Sequence, residues 1–145
     1  EVAKGLQLVP APYLKESSSK PTLVLDLDET LLHFEEISDT EGQLSIRPGA
    51  DKFLKVMGAL YELVIFTAGT EEYADWALGY LESENSLSYR LYRQHALPFR
   101  GFYVKDLSRV GRDLTKTLIV DNIADNFQLQ PQNGIAIRTW ISDPQ

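Results

Sequence analysis

Short apolar runs alternate with amphipathic segments along the middle of the chain. Runs typical of buried strands occur at 22–27, 62–67 and 117–120. Between the first two, residues 50–60 repeat apolar side chains at helical spacing, and the segment after Thr70 does the same. Strands that alternate with helices predict an α/β fold with a Rossmann-like, mainly parallel sheet and helices on both faces.

Each predicted helix has an apolar face that we expect to pack on this sheet. For the first helix that face consists of Phe53, Leu54, Val56, Met57 and Leu60. The second helix is predicted to be capped by Thr70, and Glu71 and Glu72 suit the dipole of its first turn. Its inner face, which we interpret as core rather than as a ligand stack, consists of Tyr73, Trp76, Ala77, Tyr80 and Leu81.

The remaining segments are shorter or more polar. Two further short strands are predicted at 87–92 and 134–138. Residues 33–47 are polar and acidic, so we predict a loop there, with room for a short strand at 44–46. Residues 1–21 contain prolines and a serine cluster and are predicted to form an N-terminal arm, followed by a single domain over 22–145.

Composition narrows the possible functions. The chain has 145 residues and 43% hydrophobic residues, which suits one domain with a sizeable core. It has no cysteine, which excludes disulfides, thiolate nucleophiles and Cys-ligated zinc within this sequence, and its two histidines argue against a His-rich metal site. The net charge of −7 argues against direct nucleic-acid binding, and no apolar run approaches the length of a membrane span.

Positive charge is concentrated in one segment. Residues 90–116 carry seven basic and two acidic side chains. If this segment surrounds the mouth of a cleft, we expect it to attract an anionic substrate. The alternative is that Arg109 and Arg112 only brace the loop that carries Lys105.

Polar side chains follow the three longest apolar runs, where the predicted strands end. They are Asp26 and Asp28, then Thr67, then Asp121 and Asn122. The carboxyl ends of parallel strands meet at one edge of a sheet, where open α/β folds bind ligands. Lys105 precedes the third run, so we expect it to join them. Carboxylate and amide oxygens suit Mg²⁺, and the whole set suits phosphoryl transfer.

Several of these residues lie in motifs that resemble a known family. The run Asp26-Leu27-Asp28-Glu29-Thr30-Leu31 resembles the DxDx(T/V) signature of haloacid-dehalogenase-type phosphatases. More narrowly, the chain resembles the small C-terminal-domain phosphatases, also called NLI-interacting-factor-like phosphatases, over most of residues 20–140. The other matching segments are Arg47-Pro48-Gly49, Phe66-Thr67-Ala68, Tyr92-Arg93-Gln94-His95, Tyr103 to Arg109 and Asp121-Asn122.

The resemblance implies a role for each residue of the predicted site. Asp26 would be the nucleophile that forms an aspartyl-phosphate, and Asp28 the general acid and then the general base. Phosphate would be bound by Thr67, Lys105 and Arg93. Mg²⁺ would be held by the Asp26 side chain, the Asp28 backbone carbonyl and Asn122, with Asp121 beside the metal and paired with Lys105.

The resemblance also implies a substrate. It points to an intracellular, nuclear, monomeric protein serine/threonine phosphatase that acts on the phosphorylated C-terminal repeat of RNA polymerase II or a similar phosphoprotein. Two alternatives stay open at this point, a phosphatase of small phosphate esters and a non-catalytic scaffold on the same fold. Residues 34–46 are shorter than the corresponding family insertion, and the family continues into a C-terminal helix where this sequence stops at Gln145. The short connections predict that the fold has no large cap domain.

Overall fold

Five parallel strands form the centre of the molecule. The structure, a computed structural model, describes residues 8–81 and 85–143. In chain order, its elements are β1 (Thr22–Leu25), β2 (Leu32–Glu36), β3 (Gly42–Ile46), α1 (Ala50–Leu60), β4 (Glu62–Phe66), α2 (Glu71–Leu78), β5 (Leu87–Leu91), β6 (Leu97–Phe99), β7 (Phe102–Val104), β8 (Thr117–Asp121) and β9 (Gly134–Ala136). Short 3₁₀ helices occupy Arg93–His95, Leu107–Arg109, Leu114–Lys116, Ala124–Phe127 and Pro131–Asn133.

The sheet order is β5-β4-β1-β8-β9, with every neighbouring pair parallel. In the register, Leu25 at the end of β1 lies opposite Ile65 of β4 on one side and Val120 of β8 on the other. The chain therefore leaves these three strands at the same edge of the sheet. The predicted α/β architecture is confirmed, and no cap domain is evident in the described residues.

The two faces of the sheet are covered differently. Helices α1 and α2 share one face, where Leu54 and Leu78 pack against Leu23, Leu25 and other side chains of the central strands. The opposite face is covered by 3₁₀ helices and by the N-terminal arm. Its buried residues include Leu14, Val24, Phe66, Leu107, Ile119 and Phe127.

The predicted apolar faces of both helices were partly wrong. In α1, Leu54 is buried and Met57 packs against the core, whereas Phe53, Val56 and Leu60 are exposed. In α2, the buried positions are Ala74, Ala77 and Leu78, whereas Trp76 is 45% and Tyr80 66% exposed. Small side chains bring α2 close to the sheet, and Trp76 and Tyr80, the latter just beyond the helix, lie outside the core. Tyr73, Ala77 and Leu81 pack in or against the core as predicted.

Residues 32–46 form an antiparallel hairpin rather than the predicted loop. β2 and β3 pair from Leu32 opposite Ile46 to Glu36 opposite Gly42. On one face of this ladder, Leu32, Leu44 and Ile46 contact the core, so alternate positions are buried as in other half-exposed strands. The acidic residues between them obscured this alternation in the sequence.

The arm of residues 1–21 has no helix or strand within its described part, residues 8–21, although it is firmly attached. Residues 1–7 lie outside the described residues. Tyr13 N donates to Arg109 O at 3.0 Å, Leu14 N donates to Val110 O at 2.9 Å, and the Tyr13 hydroxyl donates to His95 O at 2.8 Å. Leu14 is buried in the core, so this segment is part of the domain's packing.

Two arginines of the basic segment, Arg109 and Arg112, bind other parts of the fold. Arg109 donates to Tyr13 Oη at 2.9 Å and to Val9 O at 2.8 Å. Arg112 forms two hydrogen bonds, of 2.7 and 2.9 Å, with the carboxylate of Glu62 at the start of β4. Glu62 lies at the edge of the sheet opposite the strand ends, so the prediction that Arg112 attracts substrate at the cleft mouth is wrong. The contacts of Arg109 with the N-terminal arm support the bracing alternative for that residue. Within residues 8–81 and 85–143, no helix is long and apolar enough to cross a membrane.

Candidate active site

Parallel pairing brings the first and last acidic strand ends together. The backbone N–H of Asp26 continues the β1–β8 ladder by donating to Val120 O at 3.0 Å. Asp26 therefore stands beside Asp121, the last residue of β8. Both side chains are buried, with Asp121 fully so. Two carboxylates this close and this deep need a cation between them.

Lys105 supplies that positive charge. Its Nζ donates to Asp26 Oδ1 at 2.7 Å and to Asp121 Oδ2 at 2.6 Å, and its side chain is fully buried. Its backbone N–H donates to Asn126 O at 2.7 Å, which anchors the chain just after β7. Burial alone would lower the pKa of Lys105, but the two adjacent carboxylates raise it above its ordinary value. The ammonium group is therefore permanently charged at neutral pH.

The pKa of Asp26 is clearly raised by its surroundings. Burial raises its pKa to about 6, because the pull of Lys105 only partly offsets the loss of water and the repulsion from Asp121. The Thr30 hydroxyl donates to its second oxygen, Oδ2, at 2.8 Å. At neutral pH Asp26 is thus an ionised carboxylate with one oxygen on an ammonium group and the other on a hydroxyl.

Asp28 is held by a different part of the fold. Its Oδ1 accepts a hydrogen bond from the Tyr73 hydroxyl at 2.5 Å. Burial raises the pKa of Asp28, and this hydrogen bond opposes the rise. Burial also raises the pKa of Tyr73, so its hydroxyl keeps the proton that it donates. The site therefore contains two carboxylates in separate settings, one beside an ammonium group and one beside a phenol.

The start of α2 fixes the position of Tyr73. Thr70 caps the helix as predicted, and its hydroxyl oxygen accepts from Tyr73 N at 3.3 Å. The ring packs edge-on against Phe34 of the hairpin at 6.0 Å between centroids. In the turn that carries Asp28, Glu29 has a φ of 59°, a left-handed conformation uncommon outside glycine and asparagine. This turn aims Asp28 away from Lys105 and toward α2.

Arg93 and Thr67 follow the ends of β5 and β4. An open cleft of about 410 Å³ is lined by Asp28, Phe34, Gly69, Tyr73 and Arg93 among others. The Arg93 Nε donates to Ala68 O at 2.7 Å, and its guanidinium lies 5.3 Å from the Tyr103 ring centroid. The Thr67 hydroxyl oxygen accepts from Gly69 N at 2.9 Å and is itself buried. Both residues are fixed in place at the strand ends.

Asn122 completes the set of oxygen ligands. With its amide nitrogen turned inward, it donates to Asp26 Oδ2 at 2.8 Å and to Asp121 Oδ1 at 3.2 Å. With its oxygen turned inward, the nitrogen donates to Thr139 Oγ1 at 3.1 Å, and amide and carboxylate oxygens converge. The second arrangement is stabilised by a cation between the oxygens, which is the chemistry that a Mg²⁺ site requires.

The predicted metal ligands fit Mg²⁺, with one restriction. Among residues 8–81 and 85–143, no group of three His, Cys, Asp or Glu side chains is placed to hold a metal ion. A divalent cation here would depend on Asp26 together with the Asn122 amide, the Asp28 backbone carbonyl and water. Because Asp121 is already bonded to Lys105, Ile123 N and Asn126, it fits a place behind the metal better than a place as a direct ligand.

Three residues of the site were not predicted to act there. Tyr73 was assigned to the core, yet its hydroxyl holds Asp28. Thr30 was noted only within the signature, and its hydroxyl binds Asp26. Asn126 donates to both oxygens of Asp121 at 3.3 Å. The only signal in the sequence was the position of Thr30 four residues after Asp26, because the other two contacts depend on tertiary packing.

The fold and this residue set define the class of protein. A buried lysine between two carboxylates, with a third carboxylate and an amide at the carboxyl edge of a parallel α/β sheet, can neutralise and orient a phosphoryl group. Residues 21–145 match the family described as NLI interacting factor-like phosphatase, and the chain belongs to that family.

The relatives agree with this assignment. The chain is 40% identical over 147 residues to a protein of Dictyostelium discoideum named probable C-terminal domain small phosphatase, covering 91% of this chain and 48% of that protein. It is 38% identical over 144 residues to human carboxy-terminal domain RNA polymerase II polypeptide A small phosphatase 2, covering 89% and 53%. The chain thus spans about half the length of these relatives.

Solved structures share the fold. A structure of Fcp1, described as an essential RNA polymerase II CTD phosphatase, superposes with a TM-score of 0.63 at 22% identity. The match covers 83% of this chain and 42% of that one. At this level of identity the likeness establishes the α/β fold alone.

Proposed function

We propose that the chain is a Mg²⁺-dependent protein serine/threonine phosphatase that acts through an aspartyl-phosphate on Asp26. The observation that carries this proposal is the separation of the two carboxylates: Asp26 lies against Lys105, and Asp28 lies against Tyr73. A nucleophile must stay ionised, whereas an acid catalyst needs a raised pKa. Burial raises the pKa of both carboxylates, so the division of roles rests on their contacts. The ammonium group of Lys105 favours the ionised form of Asp26, whereas Asp28, among the residues that the structure describes, has no ammonium group bonded to it and lines the open cleft.

In the first step, a carboxylate oxygen of Asp26 attacks the phosphorus atom of the substrate. The bond from phosphorus to the serine or threonine oxygen breaks, and protonated Asp28 gives its proton to that oxygen. The ammonium group of Lys105 reduces the repulsion between Asp26 and the phosphate dianion. The second negative charge next to Lys105, on Asp121, keeps the ammonium group in place.

In the second step, Asp28 acts as a base. Its carboxylate takes a proton from a water molecule, whose oxygen attacks the phosphorus of the aspartyl-phosphate. The bond to Asp26 breaks, inorganic phosphate leaves, and both carboxylates return to their starting states. Arg93, which lines the cleft, and Thr67, which directly follows β4, are proposed to bind the phosphoryl oxygens. When bound, Mg²⁺ would supply additional positive charge at the attacking carboxylate and phosphate.

An open cleft supports a protein substrate over a small metabolite. Between Leu32 and Arg47 the chain forms only a hairpin, and α2 fills most of the segment that follows Thr67. Neither element closes over Asp28, so a polypeptide has access to it. The names of the relatives suggest the phosphorylated C-terminal repeat of RNA polymerase II as one substrate, and an intracellular, nuclear setting belongs to the same proposal.

The metal requirement is tested with an aryl phosphate, which needs no peptide recognition. Chelator should abolish turnover, and added Mg²⁺ should restore it, because the oxygens of Asp26 and Asn122 would repel one another without a cation between them. Full activity in excess chelator would refute the metal assignment.

The substrate class is tested with two panels, one of phosphoserine and phosphothreonine peptides and one of sugar phosphates. We expect higher kcat/KM for the peptides. Efficient turnover of a sugar phosphate without turnover of any phosphopeptide would favour the small-ester alternative. A protein that turns over neither panel nor the aryl phosphate would favour the scaffold alternative.

A further inference from the structure

An exposed row of aromatic rings leads away from the cleft. Phe34 and Tyr73 line the cleft beside Asp28. Trp76 lies 5.7 Å from Phe34 and 6.2 Å from Tyr73 between ring centroids, and Tyr80 lies 5.4 Å beyond Trp76. We call these four residues the aromatic row. Its outer members, Trp76 and Tyr80, are largely exposed and are not needed to fill the core.

The elements that carry the aromatic row are strongly acidic. Residues 32–46 contain four carboxylates and helix α2 contains three, and neither segment contains a lysine or an arginine. Glu72 lies one helical turn before Trp76, so their side chains share a face of α2. Glu36 follows Phe34 by two residues in β2 and therefore points to the same side of the hairpin. The rings are thus bordered by exposed carboxylates on both elements.

A surface of aromatic rings bordered by carboxylates favours a positively charged ligand. Aromatic faces attract guanidinium and ammonium groups, with Trp the strongest, and carboxylates at the rim add to the attraction. The same carboxylates disfavour a second phosphate on the peptide. One of the three α2 carboxylates, Asp75, is paired with Arg90 at 2.9 Å. The negative charge that borders the rings therefore comes from Glu72 on α2 and Glu36 on the hairpin.

We propose that the aromatic row binds an arginine or lysine of the phosphopeptide substrate, so that the enzyme prefers phosphosites flanked by basic residues. This inference rests on the proposed phosphatase function, since the row becomes a substrate site through its continuity with the cleft at Asp28. An extended peptide advances roughly 3.3–3.6 Å per residue. Given the ring spacings, residues two to four positions from the phosphoserine would lie over Trp76 and Tyr80.

The test compares kcat/KM for phosphoserine peptides of one sequence that differ at a single position. Arginine, leucine or alanine is placed two, three or four residues from the phosphoserine, on either side. At the best position, we expect arginine to exceed alanine by about tenfold, as for a partly desolvated cation on an aromatic face. Leucine should give little of this gain. Leucine equal to arginine, or no gain from arginine at any position, would overturn the proposal.

Variants show which surface binds the arginine. For each variant, the ratio of kcat/KM for the arginine peptide to kcat/KM for the alanine peptide is compared, because general effects on catalysis cancel in this ratio. Trp76→Leu should bring the ratio close to one, and Glu72→Gln should reduce it about twofold. Ile135→Ala, which changes an exposed apolar residue of β9, should leave it unchanged. An unchanged ratio in Trp76→Leu would overturn the assignment. Failure of the proposed function would appear differently, as absence of turnover with every peptide and with the aryl phosphate.

Discussion

Replacing Tyr73 with phenylalanine removes one hydroxyl from the cleft and little else. The ring keeps its edge-on contact with Phe34 and its tilted contact with Trp76, and the Thr70 cap is untouched. What is lost is the 2.5 Å hydrogen bond to Asp28. Hydrogen bonds to charged groups contribute about 1.5–3 kcal/mol, which corresponds to roughly a tenfold to hundredfold change in rate when the bond is needed in the transition state.

The size of the effect should depend on the leaving group. A serine alkoxide needs a proton as it departs, whereas an activated phenolate such as p-nitrophenolate needs almost none. If Tyr73 holds the proton donor, Tyr73→Phe should lower kcat on a phosphoserine peptide by about tenfold or more. It should barely change the rate at which an aryl phosphate phosphorylates Asp26. The pKa of Asp28 should also rise, because the hydrogen bond that opposes burial is gone. The part of the pH profile that requires ionised Asp28 should then move to higher pH.

Tyr92→Phe provides a matched control. It makes the same chemical change at a tyrosine whose hydroxyl donates to Asp75 at 2.8 Å, outside the cleft lining. Pre-steady-state measurement of the first phosphate ester cleavage, with both substrates and both variants, separates the steps. Equal losses on the peptide and the aryl phosphate would show that Tyr73 supports the fold in general. No loss on either substrate would refute a role in positioning Asp28.

Three further predictions address the nucleophile, the metal and the bracing arginine. Asp26→Asn should lower turnover by roughly a thousandfold or more while the domain stays folded by circular dichroism, and a variant within tenfold of wild type would exclude Asp26 as nucleophile. Without metal, burial raises the pKa of Asp26 to about 6, so a proton competes with the metal for this carboxylate at lower pH. The Mg²⁺ concentration for half-maximal activity should therefore rise below about pH 6 and change little above it. Arg112→Ala leaves the buried carboxylate of Glu62 without its cation and should lower the free energy of unfolding by about 3 kcal/mol. The effect of salt concentration on kcat/KM for a phosphopeptide should stay the same, whereas it would weaken if Arg112 attracted the substrate. Hydrogen bonds from Arg112 hold the pKa of Glu62 below its usual range despite burial, so wild type should lose more stability than the variant as the pH falls through about 4.

The sequence was most informative where the sheet alone decides the geometry. Asp26 and Asp121 each follow an apolar strand, and parallel pairing in the observed register brings both to one edge. No side-chain detail is needed for that inference. The position of Lys105 could not be predicted from strand pairing, and only its order in the chain and the family motif placed it near the acids. Its burial between two carboxylates depends on tertiary packing and cannot be predicted from the amino-acid sequence alone.

Other predictions failed because neighbours in sequence need not be neighbours in space. Arg112 follows Lys105 by only seven residues, but the chain must return to the opposite edge of the sheet before β8 begins at Thr117. It therefore reaches Glu62 rather than the cleft. For Tyr73 and Trp76, helical periodicity identifies a face of α2. It does not distinguish a ring buried against the sheet from one that lies over the strand ends.

The distribution of roles over the fold has a consequence for specificity. Asp26, Lys105 and Asp121 are held by strand ends and by buried charge pairs, so a substitution among them would disturb both stability and chemistry. Trp76 and Tyr80 lie on the outer side of α2 and just beyond it, where substitution costs little core packing. Tyr73 connects the two regions, because its hydroxyl touches Asp28 and its ring begins the exposed part of the aromatic row. Substrate preference in this fold can therefore change through the outer face of α2 while the nucleophile and its lysine stay fixed.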